Sequence, residues 1–395
     1  MIIHKVRTRH NREGKAFAHL KFLVSLAIAS IASIYPNFIK GILGSDSRVG
    51  FFYSIIALLS LLVTLYSTQI FQKFKRVGIV NLTLSLSVGV YIILTAISSF
   101  GSLFVIEIMR VFSIVLIGLS ITLFVRDFSK EEELGESEAE LFVFDNLGYF
   151  LGPLVAGFLA FHYGFDSVFF LAALLSLIAY SYFNHQYFVK KHKHIKNKIT
   201  LTKGTVLTNA KDFFKVSENR KSFFIKFALE YWWATFYFYV PLFIINLGFT
   251  QKISGLVVGA VVLPLIFLEV FVGKLADKKG YKNFLSLGFF ILSGVLILIS
   301  YFNDSVFSIF LLILTSFGVT MIEPIQDLHF FKTVKKGEED RLFGILMLSF
   351  PLSEIIAPSL AGLSLIFFGP SAVWLIVSIV SFSAFLVSRS LKQIN

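Results

Sequence analysis

The sequence predicts an all-α integral membrane protein whose twelve spanning helices form two six-helix halves, and three observations carry that prediction. The first is composition: of 395 residues 56% are hydrophobic and only 15% charged, with a mean hydropathy of +0.79. Ordinary soluble chains are about 45–50% apolar and about 25% charged, so too few charges remain here to face water and most of the solvent is lipid. The second is the set of apolar runs that reach the roughly 20 residues a spanning helix needs, at 20–40, 49–71, 77–99, 103–125, 140–162, 166–184, 223–247, 253–275, 283–302, 305–328, 341–365 and 370–389. The third is an internal repeat that pairs the first six runs with the last six.

Each segment has its own justification. Segment 1 follows the basic stretch Lys5–Lys21; no small-residue cleavage site is evident and eleven further segments follow, so it is read as a retained helix instead of a signal peptide. Segments 2 and 3 flank the short loop Ser67–Arg76. Segment 4 carries Glu107 and Arg110, and the acidic stretch Glu131–Glu140 behind it is read as a solvated loop. Segments 5 and 6 follow. The loop 185–222, rich in Lys, His and Asn, then divides the segments six and six, giving an N-terminal half 1–184, a linker 185–222 and a C-terminal half 223–395. Its cluster Lys190, Lys191, His192, Lys193 and His194 is suited to anionic headgroups. Prolines and glycines inside segments 7 to 12 do not end them, because neighbouring helices re-satisfy freed backbone groups in a bundle. A β-barrel would need short alternating strands, and none appear.

Orientation follows from the basic residues, because short positive loops stay cytoplasmic. With both termini inside, nearly all of the 36 Lys and Arg fall on the cytoplasmic side; Lys40, Arg48 and Lys252 lie opposite, and Arg110 and Lys226 lie within segments. The expected location is the cell's inner (plasma) membrane. The basic excess of +12 is dispersed between apolar runs, which argues against a nucleic-acid partner. The chain has no Cys, which excludes disulfides, thiolate metal sites and a cysteine nucleophile.

The repeat has an offset of 205 residues. Pro36 pairs with Pro241, Phe38 with Phe243, Gly50 with Gly255, and Gly164, Val168 and Phe169 with Gly369, Val373 and Trp374. Gly148, Gly152, Pro153, Ala156 and Gly157 pair with Ser353, Ala357, Pro358, Ala361 and Gly362. Agreement in four helix pairs points to two halves of common origin, an architecture that membrane transporters use repeatedly.

Between segments 8 and 9 stands Gly273-Lys274-Leu275-Ala276-Asp277-Lys278-Lys279-Gly280-Tyr281-Lys282. It resembles the loop signature of the major facilitator superfamily, G-x-L-a-D-[RK]-x-G-[RK]-[RK], with Tyr281 in place of one basic residue. The glycines Gly273 and Gly280 are expected to allow a tight turn, while Asp277, Lys278 and Lys282 can form charge pairs present in one of two conformations. The corresponding loop 67–76 has lost the pattern: Phe71 replaces the Asp and Phe74 the second Gly. In segment 5, Gly148, Gly152, Pro153 and Gly157 resemble the family's antiporter signature, which implies proton-driven export of drug-like compounds. Small residues at these spacings let helices approach closely. In segment 4, Arg110 alone carries over from the family motif R-x-x-q-G, linked to proton transfer; Ser113 and Ile114 replace its last two residues.

Glu107 and Arg110, three residues apart, share a helix face and can pair, which lowers the ~2.5–3.5 kcal/mol that a mid-bilayer charge costs. Other acids within segments each need a reason. Glu354 lies between Pro351 and Pro358 near the expected midplane, where it can carry a proton. Glu230 stands beside Tyr231, Trp232 and Trp233, an aromatic run able to hold a lipophilic cation. Glu323 precedes Pro324, and in the resembled family this segment lines the cavity. Asp145 and Glu269 lie nearer the expected inner gate.

No phosphate-binding loop, Ser/His/Asp arrangement or H-E-x-x-H pair is present. The expectation is therefore a transporter and not an enzyme, without cofactor or metal, acting as a monomer on a small molecule and protons. The function expected is proton-coupled export of lipophilic or amphipathic compounds by alternating access. Two alternatives stay open at this point: uptake of a small polar solute, for which Asn37, Gln69, Asn81, Asn146 and Gln326 are a sparse polar lining, and a non-transporting receptor or lipid-handling protein on the same fold.

Overall fold

A computed structural model describes residues 2–128, 134–186, 206–335 and 338–391. Residues 131–133 of the acidic stretch and the whole Lys190–His194 cluster lie outside these, as do the side chains of residues 2–15, Arg126 and Asp277.

The described residues are helical almost throughout. In lipid a helix alone satisfies every backbone N–H and C=O within one segment, and the long apolar runs leave no competing pattern. The helices are α1 (Ile2–Ala32), α2 (Tyr35–Leu43), α3 (Asp46–Lys73), α4 (Arg76–Leu94), α5 (Phe100–Phe128), α6 (Leu134–Tyr163), α7 (Phe165–His185), α8 (Val206–Lys215), α9 (Ser217–Asn246), α10 (Gln251–Lys279), α11 (Tyr281–Tyr301), α12 (Phe307–Ile322), α13 (Leu328–Thr333), α14 (Glu339–Leu346), α15 (Ser349–Phe367) and α16 (Pro370–Arg389).

Three expected segments are broken. The first bends by 41° between α1 and α2, just before Pro36, whose missing N–H is harmless in the first turn of α2. The tenth is interrupted at Glu323–Ile325, a single 3₁₀ turn with Pro324 near its start. The eleventh breaks between α14 and α15, ahead of Pro351. Among the described residues ten helices are long and apolar enough to cross a membrane, or eleven with α1 and α2 taken as one bent span. The expected segment missing from these is the seventh, 223–247, in α9. Its 30 residues suffice in length, but Lys226, Glu230 and the run of Trp and Tyr dilute its hydropathy.

Five glycines have positive φ and make the tightest corners: Gly44 (+83°), Gly164 (+80°), Gly248 (+86°), Gly280 (+88°) and Gly369 (+83°). Gly164 and Gly369 are repeat partners. Gly280 turns the chain from α10 into α11, whereas Gly273 sits inside α10 with open space beside it. The expectation of a loop turning on both glycines is therefore corrected: helix α10 runs through Lys279 and one glycine makes the turn.

The chain divides into two compact units, Met1–Ile42, Leu59–Ile199 and Thr250–Gly259 in one, Leu43–Leu58, Thr200–Phe249 and Ala260–Asn395 in the other. Each unit thus holds a helical segment from the other half of the sequence. Within the first unit α1 packs on α6 and α7, and α4 on α5 and α7; within the second α9 packs on α15 and α16, and α11 on α12 and α16. These are the same pairs displaced by the repeat. The first unit's core joins Phe17, Leu20 and Val24 of α1 to Val80 and Leu84 of α4, Ile121 and Phe124 of α5, and Phe183 of α7.

The repeat is sharpest where backbones touch. A Cβ on Gly50 would fall 2.6 Å from the Pro358 carbonyl oxygen, and its repeat partner Gly255 is pressed against the carbonyl oxygen of Pro153. Likewise Gly157 meets the Gln251 carbonyl oxygen at 2.6 Å and Gly362 that of Ser47 at 3.0 Å. Gly148 and Gly152 face α1: a Cβ on them would fall 2.9 Å from Leu26 N and 2.8 Å from Ser30 N. The small residues of the fifth segment therefore serve two neighbours, α1 and the start of α10.

Overpacking at such a contact costs about 1–3 kcal/mol. Gly255→Ala should lower the apparent melting temperature of the purified protein by several degrees, while Gly273→Ala, with its nearest neighbour 4.0 Å away, should leave it level or raise it slightly.

Candidate substrate and proton site

Each unit buries a cluster of charge. In the first, Tyr35 of α2 donates its hydroxyl hydrogen to Glu107 of α5. Arg110 grips the same carboxylate with two parallel bonds, Nε to Oε1 at 2.6 Å and an Nη to Oε2 at 3.0 Å. Its guanidinium also lies 4.7 Å from the centre of the Tyr35 ring, a cation–π contact. Glu107 is fully buried. The bidentate geometry is the strong form of the carboxylate–guanidinium pair, and it accounts for two charges in a helix that faces lipid on its far side.

In the second unit, α9 presents Lys226, Glu230, Trp233 and Tyr237 at spacings of four, three and four, which places them on one face. Opposite stand Glu323, at the break in the tenth segment, and Asp327. Lys226, 4% exposed, reaches Asp327 at 3.1 Å and Glu230 at 3.9 Å. Trp233 donates its indole N–H to Glu323 Oε2 at 3.0 Å and stacks on Tyr237 with ring centres 5.5 Å apart. Glu323 interacts electrostatically with both Glu230 and Glu269. One lysine thus pairs with two carboxylates, Asp327 and Glu230, and acts on a third, Glu323, which Glu269 also neighbours, with an indole edge and a phenol ring alongside.

The remaining expected residues are placed as follows. Trp232 is turned the other way on α9: it is fully buried, with Phe236 as its ring neighbour at 5.6 Å. Successive helical residues point about 100° apart, so only one of the two tryptophans can face Glu323. Glu354 is partly buried on α15. Glu269 neighbours Glu323 electrostatically, although the sequence grouped it with the gating loop. Asp145 pairs with Lys21 at 3.1 Å and takes a short hydrogen bond from Ser25, tying α6 to α1. Asn81 is bound by Asn184 at 2.8 Å, a link between α4 and α7.

Of the signature 273–282, Lys278 is exposed and Lys282 partly exposed. Tyr281, the departure from the family pattern, is 2% exposed and shares a 2.9 Å hydrogen bond with His329 Nδ1, whose Nε2 lies 2.9 Å from Glu218. Lys221 completes the chain with a 2.9 Å bond to Glu218. Burial pushes the Glu218 carboxyl up, but the bonds from Lys221 and His329 outweigh it and hold it below the usual carboxylate range. In the first-half loop, Phe71 is 2% exposed and packs with Ile79 and Leu116, while Arg76 is buried and paired with Asp127 of α5. The lost aspartate position has become an apolar contact.

Sequence reasoning passed over Lys226, Asp327 and Tyr35. The signal for the first was present: Lys226 and Glu230 stand at i and i+4 inside an apolar helix.

Removing one partner of a buried pair leaves the other charge unpaired, at about 3–5 kcal/mol. Glu107→Ala should therefore lower the apparent melting temperature strongly, and Glu107→Ala combined with Arg110→Leu should recover much of the loss, read by thermal unfolding in detergent.

Known proteins place this architecture. The chain matches the family model for the Major Facilitator Superfamily over residues 17–329 and 223–392. It is 23% identical over 355 residues to multidrug resistance protein 2 of Bacillus subtilis (strain 168), covering 87% of this chain and 86% of that protein. Among solved structures, the nucleoside transporter NupG superposes with a TM-score of 0.75 at 12% identity, covering 96% of this chain and 98% of that one. A POT family transporter in complex with 5-aminolevulinic acid superposes with a TM-score of 0.78 at 12% identity, covering 95% of each. With twofold-repeated packing, membrane-length helices and a family match across most of its length, the chain belongs to the major facilitator superfamily and is a multi-pass membrane protein.

Proposed function

We propose that the protein is a secondary active transporter that exports lipophilic or amphipathic small molecules, cations foremost, in exchange for protons, by alternating access. The observation that carries this reading is the charge balance of the second unit's cluster: Glu230, Glu323, Asp327 and Glu269 against the single Lys226, beside the rings of Trp233 and Tyr237. Lys226 is held by Asp327, the nearer acid, which leaves carboxylates whose negative charge a proton or a cationic substrate can balance. The two are then alternatives at one site. Aromatic faces add attraction for a lipophilic cation and little for a hydrated one.

The rest of the mechanism follows from this competition. A ligand shifts a conformational equilibrium only by its differential affinity for the two states. Exchange of a proton for a cation changes which acids need internal partners, and Lys226 has two within reach. The break in the tenth segment at Glu323–Ile325 gives the carboxylate a backbone able to move without unwinding a whole helix. The similarity to a protein named for multidrug resistance supports the choice of substrate class, as does the likeness of Gly148–Gly157 to the antiporter signature. No role as an enzyme is proposed. The gating assignment of Gly273, Asp277, Lys278, Gly280 and Lys282, the placement of both termini in the cytoplasm, the inner-membrane location and the monomeric state belong to the same proposal.

Reconstitution in proteoliposomes with an imposed pH gradient tests it. Addition of tetraphenylphosphonium should move protons across the membrane in the wild type. Glu323→Gln should reduce that flux at least tenfold, with Glu230→Gln and Glu354→Gln measured in parallel to locate the carrier. Binding of the cation without any proton movement would overturn the antiport reading and favour uniport or a receptor role.

A further inference from the structure

The second unit holds a pocket away from the Lys226 cluster. It lies on the face of α11 and α16, has a volume of about 560 Å³, and is lined by Lys282, Asn283, Ser286, Phe290, Phe385 and Arg389, among others. The two cations mark its mouth: Lys282 is in the first turn of α11 and Arg389 in the last turn of α16, at the same end of the antiparallel pair. No carboxylate among the described residues pairs with either of them. Eight residues along α11, about 12 Å at 1.5 Å per residue, Phe290 begins the apolar part. It contacts Phe385 with ring centres 5.4 Å apart, and Arg389 lies 5.9 Å from the centre of the Phe385 ring.

The floor is firm. Ser388 donates to Ser286 at 3.0 Å, Ser378 to the Ser293 carbonyl at 2.8 Å and Ser300 to the Ser371 carbonyl at 2.8 Å. These hydrogen bonds fasten α11 to α16 at three levels, so the pocket is a fixed groove in the outer face of a helix pair instead of a gap that closes by repacking. Phe290 is 54% exposed and Leu287 48%, a surface that meets lipid tails.

We propose that this groove binds an anionic phospholipid of the bilayer, its phosphate held between Lys282 and Arg389 with Asn283 as a further donor, and its acyl chain against Phe290 and Phe385. The chemistry fits in both parts. Two cations with no carboxylate partner among the described residues, and an amide, answer a phosphodiester, and the aromatic wall beyond them answers a hydrocarbon chain. A free inorganic anion would use the first part only, and a zwitterionic lipid would bring its own cation to a doubly positive mouth.

Native mass spectrometry of the delipidated full chain, titrated with dioctanoyl phosphatidylglycerol or dioctanoyl phosphatidylcholine, provides the test. The phosphatidylglycerol should bind more tightly. Each cation near a membrane surface contributes about fivefold to affinity for an anionic lipid, so Arg389→Gln should weaken phosphatidylglycerol binding about fivefold and Arg389→Gln with Lys282→Gln about 25-fold. Phosphatidylcholine binding should be unchanged. Arg389→Lys, which keeps charge and fold, should retain most of the affinity. Equal binding of both lipids, equal loss in Arg389→Lys and Arg389→Gln, or displacement of the phosphatidylglycerol by millimolar inorganic phosphate would each overturn the proposal, the last in favour of a simple anion site.

Discussion

The structure turns on the cost of holding a charge where lipid is the solvent. Lys226 is almost wholly buried in a helix of apolar and aromatic residues, and an unpaired ammonium there would cost several kcal/mol. Its position accounts for much of what surrounds it. Asp327 must come within contact distance, which requires the chain beyond α12 to deviate, and the 3₁₀ turn at Glu323–Ile325 supplies the deviation. That turn in turn brings Glu323 to the edge of Trp233. The first unit answers the same constraint differently, by closing Glu107, Arg110 and Tyr35 on one another. One cluster is balanced and closed. The other carries more acids than bases, and this asymmetry is where a transported charge has something to balance.

A second constraint, steric, acts on the same helices. The repeat partners Gly50 and Gly255 each press on the carbonyl oxygen of a proline, Pro358 and Pro153, themselves repeat partners. Backbone contact of this kind tolerates no side chain, and the hydrogen bonds beside it are single ones, Ser359 to Ser54 and Ser254 to the Ser33 carbonyl. Small-residue contacts are therefore compatible with motion, whereas the charge pairs between α1 and α6, or between α4 and α5, fix neighbours in place. Each unit is internally bolted by ion pairs and serine bonds, and each takes in one segment from the other half of the sequence through glycine contacts supplemented by a few hydrogen bonds, Ser254 to the Ser33 carbonyl in the first and Ser359 to Ser54 in the second.

Much of this was legible in the residues. Apolar length marked the spanning segments, the 205-residue offset marked which positions of the two halves are equivalent, and the spacing of Glu107 and Arg110 announced their pairing. What sequence did not reveal has physical reasons. Helix breaks at Glu323 and before Pro351 depend on tertiary partners for freed backbone groups, and hydropathy averages over them. Trp232 and Trp233 are equivalent in composition and differ only in the direction they point. Lys226 has its partner in Asp327, 101 residues away, which no local pattern announces. Tyr281 read as a gap in a basic motif, and its reason lies in His329, a residue that no local pattern ties to it.

The central claim is that the excess acids of the second unit exchange protons for a lipophilic cation. Calorimetry of tetraphenylphosphonium binding to the purified protein, repeated in buffers of different ionisation enthalpy, counts the protons released on binding. The account expects release on the order of one proton per cation bound, tightening of binding as pH rises, and loss of both in Glu323→Gln. Tight binding with no proton release and no pH dependence would contradict it.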